Sequence, residues 1–309
     1  MDKYFVGLDL GTTTVKATVY LFNGTPINEA SKERVLLTPK TGYCEQDALT
    51  WYYDSAEVVK KATEGLDKSK ILGLSISSQG ITTVCCDKDF MPLTNAVNWM
   101  DVRKVDSWAS TVDKIGIEYF KSTTGFPIKR ELPKGIAKVA WVREKLPEVF
   151  AKTRYILMPS SFLTAHLTGK ALVDRTMAAG SLVYSVSGHK WDKALLDAFF
   201  INEEMLPEIV EAGTSAGHLT KKAAEDFNLS ESCIVAVGGQ DQKVAAYGIG
   251  ADSRVASCSL GTSAAFEFIS KGVMRELPEG FKLCPYISED LFAAECCINS
   301  AGASIRWVN

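Results

Sequence analysis

The stretch YFVGLDLGTTTVKATVY occupies residues 4–20 and decides how the chain folds. Two apolar, β-branched runs, residues 4–8 and 15–20, flank a short polar turn. Strand formers on both sides of a glycine-containing turn predict a β-hairpin. The turn carries Asp9, Gly11 and three successive hydroxyls, Thr12, Thr13 and Thr14. Glycine lets a backbone approach a bulky ligand, and the N–H groups of such a turn form an anion-binding nest. Asp9 adds a hard oxygen donor suited to Mg²⁺. Taken alone, these residues fit two readings: a phosphate-binding hairpin, or an ordinary hairpin with a threonine-rich turn.

The bulk of the chain narrows the setting. Its 309 residues exceed what one hydrophobic core usually organises, so two lobes are expected. An apolar fraction of 46% suits a globular protein. With a net charge of −3 and no basic block, nothing points to nucleic acid or an anionic membrane. No apolar run reaches the length of a membrane span. Met1-Asp2-Lys3 leads straight into the first strand, so a cytoplasmic location is expected. The eight cysteines are scattered through the chain and form no C-x-x-C spacing. Buried, reduced thiols are the simplest reading of them. His166, His189 and His218 fit no metal-ligand spacing and read as surface or structural residues.

Beyond the hairpin, residues 30–37 predict a third strand, and a helix follows from Glu45-Gln46-Asp47 to about Gly65. Asp47 is the expected N-cap, and Leu49, Tyr52, Ala56, Val59 and Ala62 form one helical stripe. Residues 71–77 read as a buried strand, Ser77-Ser78-Gln79-Gly80 as its polar exit loop, and residues 82–86 as another strand. Residues 99–200 are rich in helix signals, at 99–103, 134–145, 159–167 and 191–199, and read as a cap on the first lobe. Residues 233–237 form a compact apolar strand leading into Gly238-Gly239-Gln240-Asp241-Gln242 and a helix over 243–248. Polar side chains where a strand passes into a helix are a common site geometry in open α/β sheets. Simple N-capping is the bland alternative for Asp241.

The hairpin also has an echo. Leu-Gly-Thr-Thr at 10–13 matches Leu-Gly-Thr-Ser at 260–263, each between strand-like segments. Two such hairpins facing one another would grip a polyphosphate from both sides. Asp9 has no carboxylate counterpart, since Ser259 takes its place.

These paired hairpins resemble those of the ATPase superfamily that includes actin, hexokinase and the heat-shock chaperones. Further motifs narrow the resemblance to the FGGY carbohydrate kinases: GYCEQDALTW at 42–51, Trp99-Met100-Asp101-Val102-Arg103, and Leu167-Thr168-Gly169 followed by Asp174. Gly238–Gln242 with residues 245–250, Leu260-Gly261-Thr262-Ser263 and residues 300–307 complete the series in family order. The resemblance implies an α/β, ribonuclease H-like (actin/hexokinase-type) fold with a mixed sheet, helices on both faces and two lobes. Residues 1–246 would form the sugar-binding domain and 247–309 the start of the nucleotide-binding one.

The activity implied is ATP-dependent phosphorylation of a sugar or polyol hydroxyl, with ATP and Mg²⁺ as cofactors. Asp241 falls where the family has its general base, and Asp9 where Mg²⁺ is held. Gly11, Thr12, Thr13, Thr14, Lys16, Gly261, Thr262 and Ser263 would surround the phosphates. An ordinary carboxylate pKa of about 4 would keep the base ionised at neutral pH. Gln79, Gly80 and Ile81 sit on the family's selectivity loop, and Trp99, Asp101, Arg103, Gln240 and Gln242 complete the implied sugar contacts. Glycerol kinases carry Arg-Glu after the glutamine and xylulokinases Met-His; Gly80-Ile81 matches neither. A ketopentose such as xylulose, or a related polyol, is the substrate expected, and a homodimer is allowed for.

The family's second lobe continues past its second hairpin, whereas this sequence ends at Asn309. The expectation is therefore a truncated second lobe, self-association or partial disorder after about residue 250, and poor kinase activity. A non-catalytic sugar-binding or regulatory protein on the same fold is the alternative. A chaperone or filament ATPase fits less well, because of the sugar-kinase motifs between 42 and 174.

Overall fold

The computed structural model describes residues 3–260, 264–274, 276–288 and 290–298, together with Ala301, Ser304 and Val308. The opening stretch folds as anticipated. Strand β1 (Tyr4–Leu10) pairs antiparallel with β2 (Thr14–Leu21), with Leu10 opposite Val15 and Asp9 opposite Lys16. Strand β3 (Pro26–Glu33) adds to β2, several residues earlier than the sequence suggested. Its place is set by pairing, Ala17 against Ala30, while Leu37 makes only an isolated bridge to Glu45. On the other side of β1 lie β4 (Ile71–Ser78), then β6 (Ile234–Gln240), then β5 (Ser215–His218). The β1–β4 and β4–β6 pairings are parallel and the others antiparallel, which makes a mixed six-stranded sheet.

Alternation along these strands divides the sheet into two faces. Val6, Leu8, Leu10, Val15, Ala17, Val19, Leu74 and Ile76 point into the main core. Helices α1 (Ala48–Ala62), α2 (Pro159–Thr168) and α4 (Lys221–Phe227) cover that face through Trp51, Val58, Phe162 and Phe227. Asp47 caps α1 by accepting from the Leu49 N–H at 2.9 Å. The opposite face presents Gly7, Asp9, Ser75 and Ser77 to an open cleft. Helix α5 (Asp241–Gly248) leaves the end of β6 and lines the same cleft with Val244 and Ala245.

The cap is helical, but its elements differ from expectation, and helices Trp108–Ile115 and Ile117–Thr124 fall outside the segments read as helical. Residues 99–103 form a turn, because the Asn98 and Asp101 side chains capture the backbone N–H groups of Met100, Arg103 and Cys44. Pro147 opens a short helix, Pro147–Lys152, immediately after helix Ala137–Lys145. Trp108, Phe120 and Phe199 centre the cap's core, which also takes in Leu283, Cys284 and Phe292 from a second sheet. That sheet is antiparallel, with β7 (Ser257–Leu260), β8 (Ala264–Lys271), β9 (Lys282–Pro285) and β10 (Leu291–Ile298) in the order β7-β8-β10-β9. A backbone hydrogen bond from Leu283 N to Gly125 O, 2.8 Å, ties cap to sheet. The cap therefore bridges the two sheets.

All eight cysteines are free thiols; Cys258 and Cys297 are exposed and Cys296 is half-buried, contrary to the all-buried expectation. No helix among the described residues is long and apolar enough to cross a membrane.

The register of β6 against β4 slips between Ala236 and Gly239, a bulge that turns the strand end towards the cleft. Gly238 makes this possible, since a β-carbon there would lie 2.0 Å from the Ile76 carbonyl oxygen. Gly238→Ala is expected to destabilise the protein by about 1–3 kcal/mol, as forced overpacking does, which urea unfolding would register.

Candidate active site

The cleft beside the polar face of the first sheet encloses about 770 Å³. Asp9, Lys16, Ser77, Gly238, Asp241, Gln242 and Ser259 are among its lining residues. Strand ends and helix starts place the polar groups: Asp9 near the end of β1, Ser77 near the end of β4, and Asp241 at the first turn of α5. The Asp9 carboxylate is solvent-accessible and accepts from the Ser77 hydroxyl at 3.2 Å. Surrounding protein mass raises its pKa, against the lowering effects of Ser77 and Lys16.

Asp241 is the first helical residue rather than the N-cap, which is Gln240. Its Oδ1 accepts from the Gln242 N–H at 2.8 Å and from the Gln240 amide. Burial pushes its carboxyl up to about 6, the Gln242 N–H lowers it and the nearby Asp9 charge raises it. The ordinary carboxylate value expected from sequence is thus corrected by desolvation.

A buried relay fixes the backbone just ahead of Asp241. Asp174 caps helix α3 (Arg175–Ala179), accepting from Thr176 N at 2.8 Å and from the Thr176 hydroxyl at 2.6 Å. The Thr176 oxygen in turn accepts from Gln240 N at 2.8 Å. Burial also raises Asp174 to about 6, despite those donors. On the far side of α5, Lys243 pairs with Glu267 at 3.0 Å and with Glu295, and Lys282 pairs with Glu295 as well. Burial alone would raise Glu295, yet the two ammonium groups hold it well below the usual carboxylate range. The helix that begins at Asp241 continues directly from β6 of the first sheet and is pinned by these ion pairs to the second.

The turn between β1 and β2 is equally tied. A β-carbon on Gly11 would meet the Thr14 carbonyl oxygen at 2.9 Å. Arg34 donates its backbone N–H to Thr13 O at 2.8 Å and its guanidinium to Gly11 O at 3.1 Å. Thr14 opens β2, and Lys16, opposite Asp9, is held by Glu29 at 2.7 Å. Strands β7 and β8 form the second hairpin, with Leu260 opposite Ala264; Gly261, Thr262 and Ser263 lie outside the described residues, as do most of residues 300–307.

The sugar-side residues divide into two groups. Gln79 is 1% exposed, so it is a structural hub more than an open ligand. Its amide accepts from Thr12 Oγ1 at 2.9 Å and Asn98 Nδ2 at 3.0 Å, and donates to Gln46 Oε1 at 2.7 Å. Asp101 and Arg103, expected as sugar contacts, are buried and closed on one another. Arg103 also pairs with Glu45 at 2.7 Å and lies between the Tyr43 and Trp141 rings, 4.1 and 4.3 Å from their centres. The open group is Gly80, Ile81, Trp99, Gln240 and Gln242. Trp99 is half-exposed, with its indole N–H donated to Thr12 Oγ1 at 2.9 Å. Gly80 sits against Gln240, whose Oε1 is buried without a hydrogen-bond partner among the described residues.

Arg34, Gln46, Asn98, Lys138 and Thr176 belong to this architecture and were not singled out from sequence. A lysine inside the apolar run IAKVAWV was the one legible signal among them.

Comparison with known proteins agrees with this geometry. Residues 4–248 match the N-terminal domain of the FGGY family of carbohydrate kinases. The chain belongs to that family. It is 30% identical over 264 residues to the xylulose kinase of Lactococcus lactis, covering 84% of this chain and 52% of that protein. Bacillus subtilis gluconokinase is 23% identical over 311 residues, 100% of this chain and 60% of that protein. A ligand-bound xylulose kinase structure from Lactobacillus acidophilus superposes with a TM-score of 0.91 at 26% identity, over 99% of this chain and 62% of that one. The chain thus spans between half and two thirds of the length of these relatives. The actin/hexokinase-type fold read from the paired hairpins is the fold of these structures.

Asp241 gives a stability signature that needs no substrate. Its folded pKa, about 6, lies above the ordinary value of 3.8, so the native state holds the proton longer between those pH values. Stability is fully present below about pH 4 and falls as pH rises through about 6, by about 2–3 kcal/mol for this group. Asp241→Asn is expected to flatten that part of the stability–pH curve, measured by denaturant unfolding from pH 4 to 7.

Proposed function

We propose that this chain carries the sugar site and the general base of an ATP-dependent carbohydrate kinase acting on a neutral ketose or polyol, a ketopentose such as xylulose being the substrate class favoured. In this reading residues 1–246 form the sugar-binding domain, residues 247–309 begin the nucleotide-binding one, and the protein works in the cytoplasm. The observation that carries it is Asp241, half-buried at a strand-to-helix junction that opens on the cleft, with the residue before it fixed by the Asp174–Thr176 relay.

In phosphoryl transfer most of the work is positioning and charge neutralisation. Asp241 takes the proton of the attacking hydroxyl, and its raised pKa brings it closer to that of a base working near neutrality. The unpartnered Gln240 Oε1 accepts from a second hydroxyl of the sugar. Trp99 offers an apolar wall, and Gly80 leaves room where a side chain would press on Gln240. The threonine turn holds phosphate oxygens through its N–H groups and hydroxyls.

Mg²⁺ fits the donor set. Among the described residues no cluster of three or more His, Cys, Asp or Glu side chains could cage a metal. Asp9 and Asp241 share the cleft, and the Asp9 charge raises the Asp241 pKa. One or two carboxylates plus water and substrate phosphates is the set this cation takes. Asp9 would hold it, and when bound it neutralises charge on the transferring phosphoryl group.

Charge on the sugar side favours a neutral substrate over a sugar acid. Among the described residues, Arg103 is sealed by Asp101 and Glu45, Arg34 is committed to the Gly11 carbonyl, and Arg175 pairs with Glu211 at 2.7 Å. None is left to receive a carboxylate.

Two measurements test the reading. D-xylulose should raise the melting temperature where gluconate does not; the reverse ranking would overturn the neutral-substrate assignment. Asp241→Asn should lower phosphoryl transfer by about 10²–10⁴-fold, the usual worth of a general base, while sugar binding persists. Transfer at the parent rate in that variant would remove Asp241 from the chemistry.

A further inference from the structure

Lys138 sits in helix Ala137–Lys145 of the cap and is 4% exposed. Burying an ammonium without a counter-ion is costly, so the groups it meets are informative. Its Nζ donates to the Ile81 carbonyl at 2.8 Å and also to the Asn98 carbonyl, and it forms no ion pair among the described residues. Burial pulls the ammonium down to about 7, and the neighbouring Asp101 charge works in the other direction.

Both carbonyls belong to segments that adjoin Gly80, which packs against Gln240 beside the cleft-lining Asp241. Ile81 has φ 56°, a left-handed conformation that a β-branched residue rarely adopts. Such strain persists only where the surroundings over-determine it. Asn98 precedes Trp99, whose backbone N–H donates to Thr82 Oγ1 at 3.1 Å, and that hydroxyl donates to Gly80 O at 3.3 Å. Residues 80–82 and 98–99 are thus one plate, cross-linked by Thr82. Gly180 packs closely beside it, since a β-carbon there would stand 3.2 Å from Ile81 N. The plate's other side carries Gly80 against Gln240 and the half-exposed Trp99 ring.

We infer that Lys138 is the positioning residue of the sugar-recognition plate: its ammonium clamps the Ile81 and Asn98 carbonyls and so sets the distance between Gly80, Trp99 and Gln240. The inference rests on the sugar-kinase reading for its purpose, but the clamp itself is a property of the loop. Lys138 touches no reacting atom in this role. It acts on recognition through the two backbone segments it joins.

The test compares the parent chain with Lys138→Met, which keeps the linear side chain and removes the donors. Two readouts separate the clamp from the sugar reading. Amide hydrogen exchange at residues 79–83 and 98–100 should accelerate in Lys138→Met without any ligand, while exchange in residues 4–21 stays as in the parent. The D-xylulose dissociation constant, followed by quenching of Trp99 fluorescence with Trp99→Phe as the blank, should rise about tenfold. If Lys138→Met does not fold, Lys138→Arg serves: it keeps the charge but presents a planar fork to the two carbonyls, and the same two changes are expected. Unchanged exchange at 79–83 in a folded variant overturns the clamp. Faster exchange with an unchanged dissociation constant overturns its role in recognition. A parent chain that binds no sugar, yet loses protection at 79–83 on substitution, keeps the clamp and overturns the sugar reading instead.

Discussion

The Thr12 hydroxyl is the hydrogen bond on which the site's geometry turns. It accepts from the Trp99 indole and donates to the Gln79 amide, so one oxygen joins the β1–β2 turn to the segments at Gln79 and Trp99. Behind it, Gln79 N donates to the Leu10 carbonyl, and Gln46 donates to the Thr12 carbonyl while accepting from Gln79. Asn98 completes the ring of amides. Buried amides that satisfy one another in this way specify a single arrangement, because each broken link leaves a desolvated partner behind. The turn between β1 and β2 is therefore held by the rest of the lobe, and its conformation is prepared before any ligand arrives.

This explains which parts of the site were legible in the sequence. The hairpin, helix α1 with its Asp47 cap, and the β6–α5 junction depend on neighbours within a few residues, and period, cap and glycine signals report them directly. Their roles as a ligand turn and a base came from family resemblance, since the same patterns occur in proteins without a site. Gln79 shows the limit. As a polar residue after a strand it reads as a surface contact, yet it is buried by partners at positions 12, 46 and 98. Asp101 and Arg103 fail for the same reason: Cys44 and Glu45 close on them from over fifty residues away. Spacing along a chain carries no record of such closures. Strand β3 slipped because its exposed, polar residues have little periodicity, so that pairing with β2 alone decided its register.

Electrostatics in the buried parts follow one logic. Asp174, Lys138 and Lys243 are nearly or fully removed from water, and each is answered by a different means. Asp174 receives backbone and hydroxyl donors, Lys138 receives carbonyls, and Lys243 receives Glu267 and Glu295. A charge placed this way is weak evidence for net stability, since a matched apolar packing does as well. What it supplies is direction. Each group fixes one segment: Asp174 the backbone before Asp241, Lys243 the helix after it, and Lys138 the segments at Ile81 and Asn98.

The same logic accounts for a half-buried acid that no cation pairs among the described residues. Asp241 accepts from the neighbouring backbone and from Gln240, while the Asp9 charge raises its pKa and the Lys243 charge lowers it. A fold selected only for stability would bring a cation to this carboxylate. Here the nearby lysine, Lys243, is turned away and consumed by Glu267 and Glu295. Pairing it with Asp241 would depress the pKa and make the carboxylate a poorer proton acceptor. The ionic cluster behind α5 thus holds the Lys243 ammonium out of direct contact with the carboxylate proposed as the base, and the cost of an under-solvated carboxylate is carried by the elements that hold it in place.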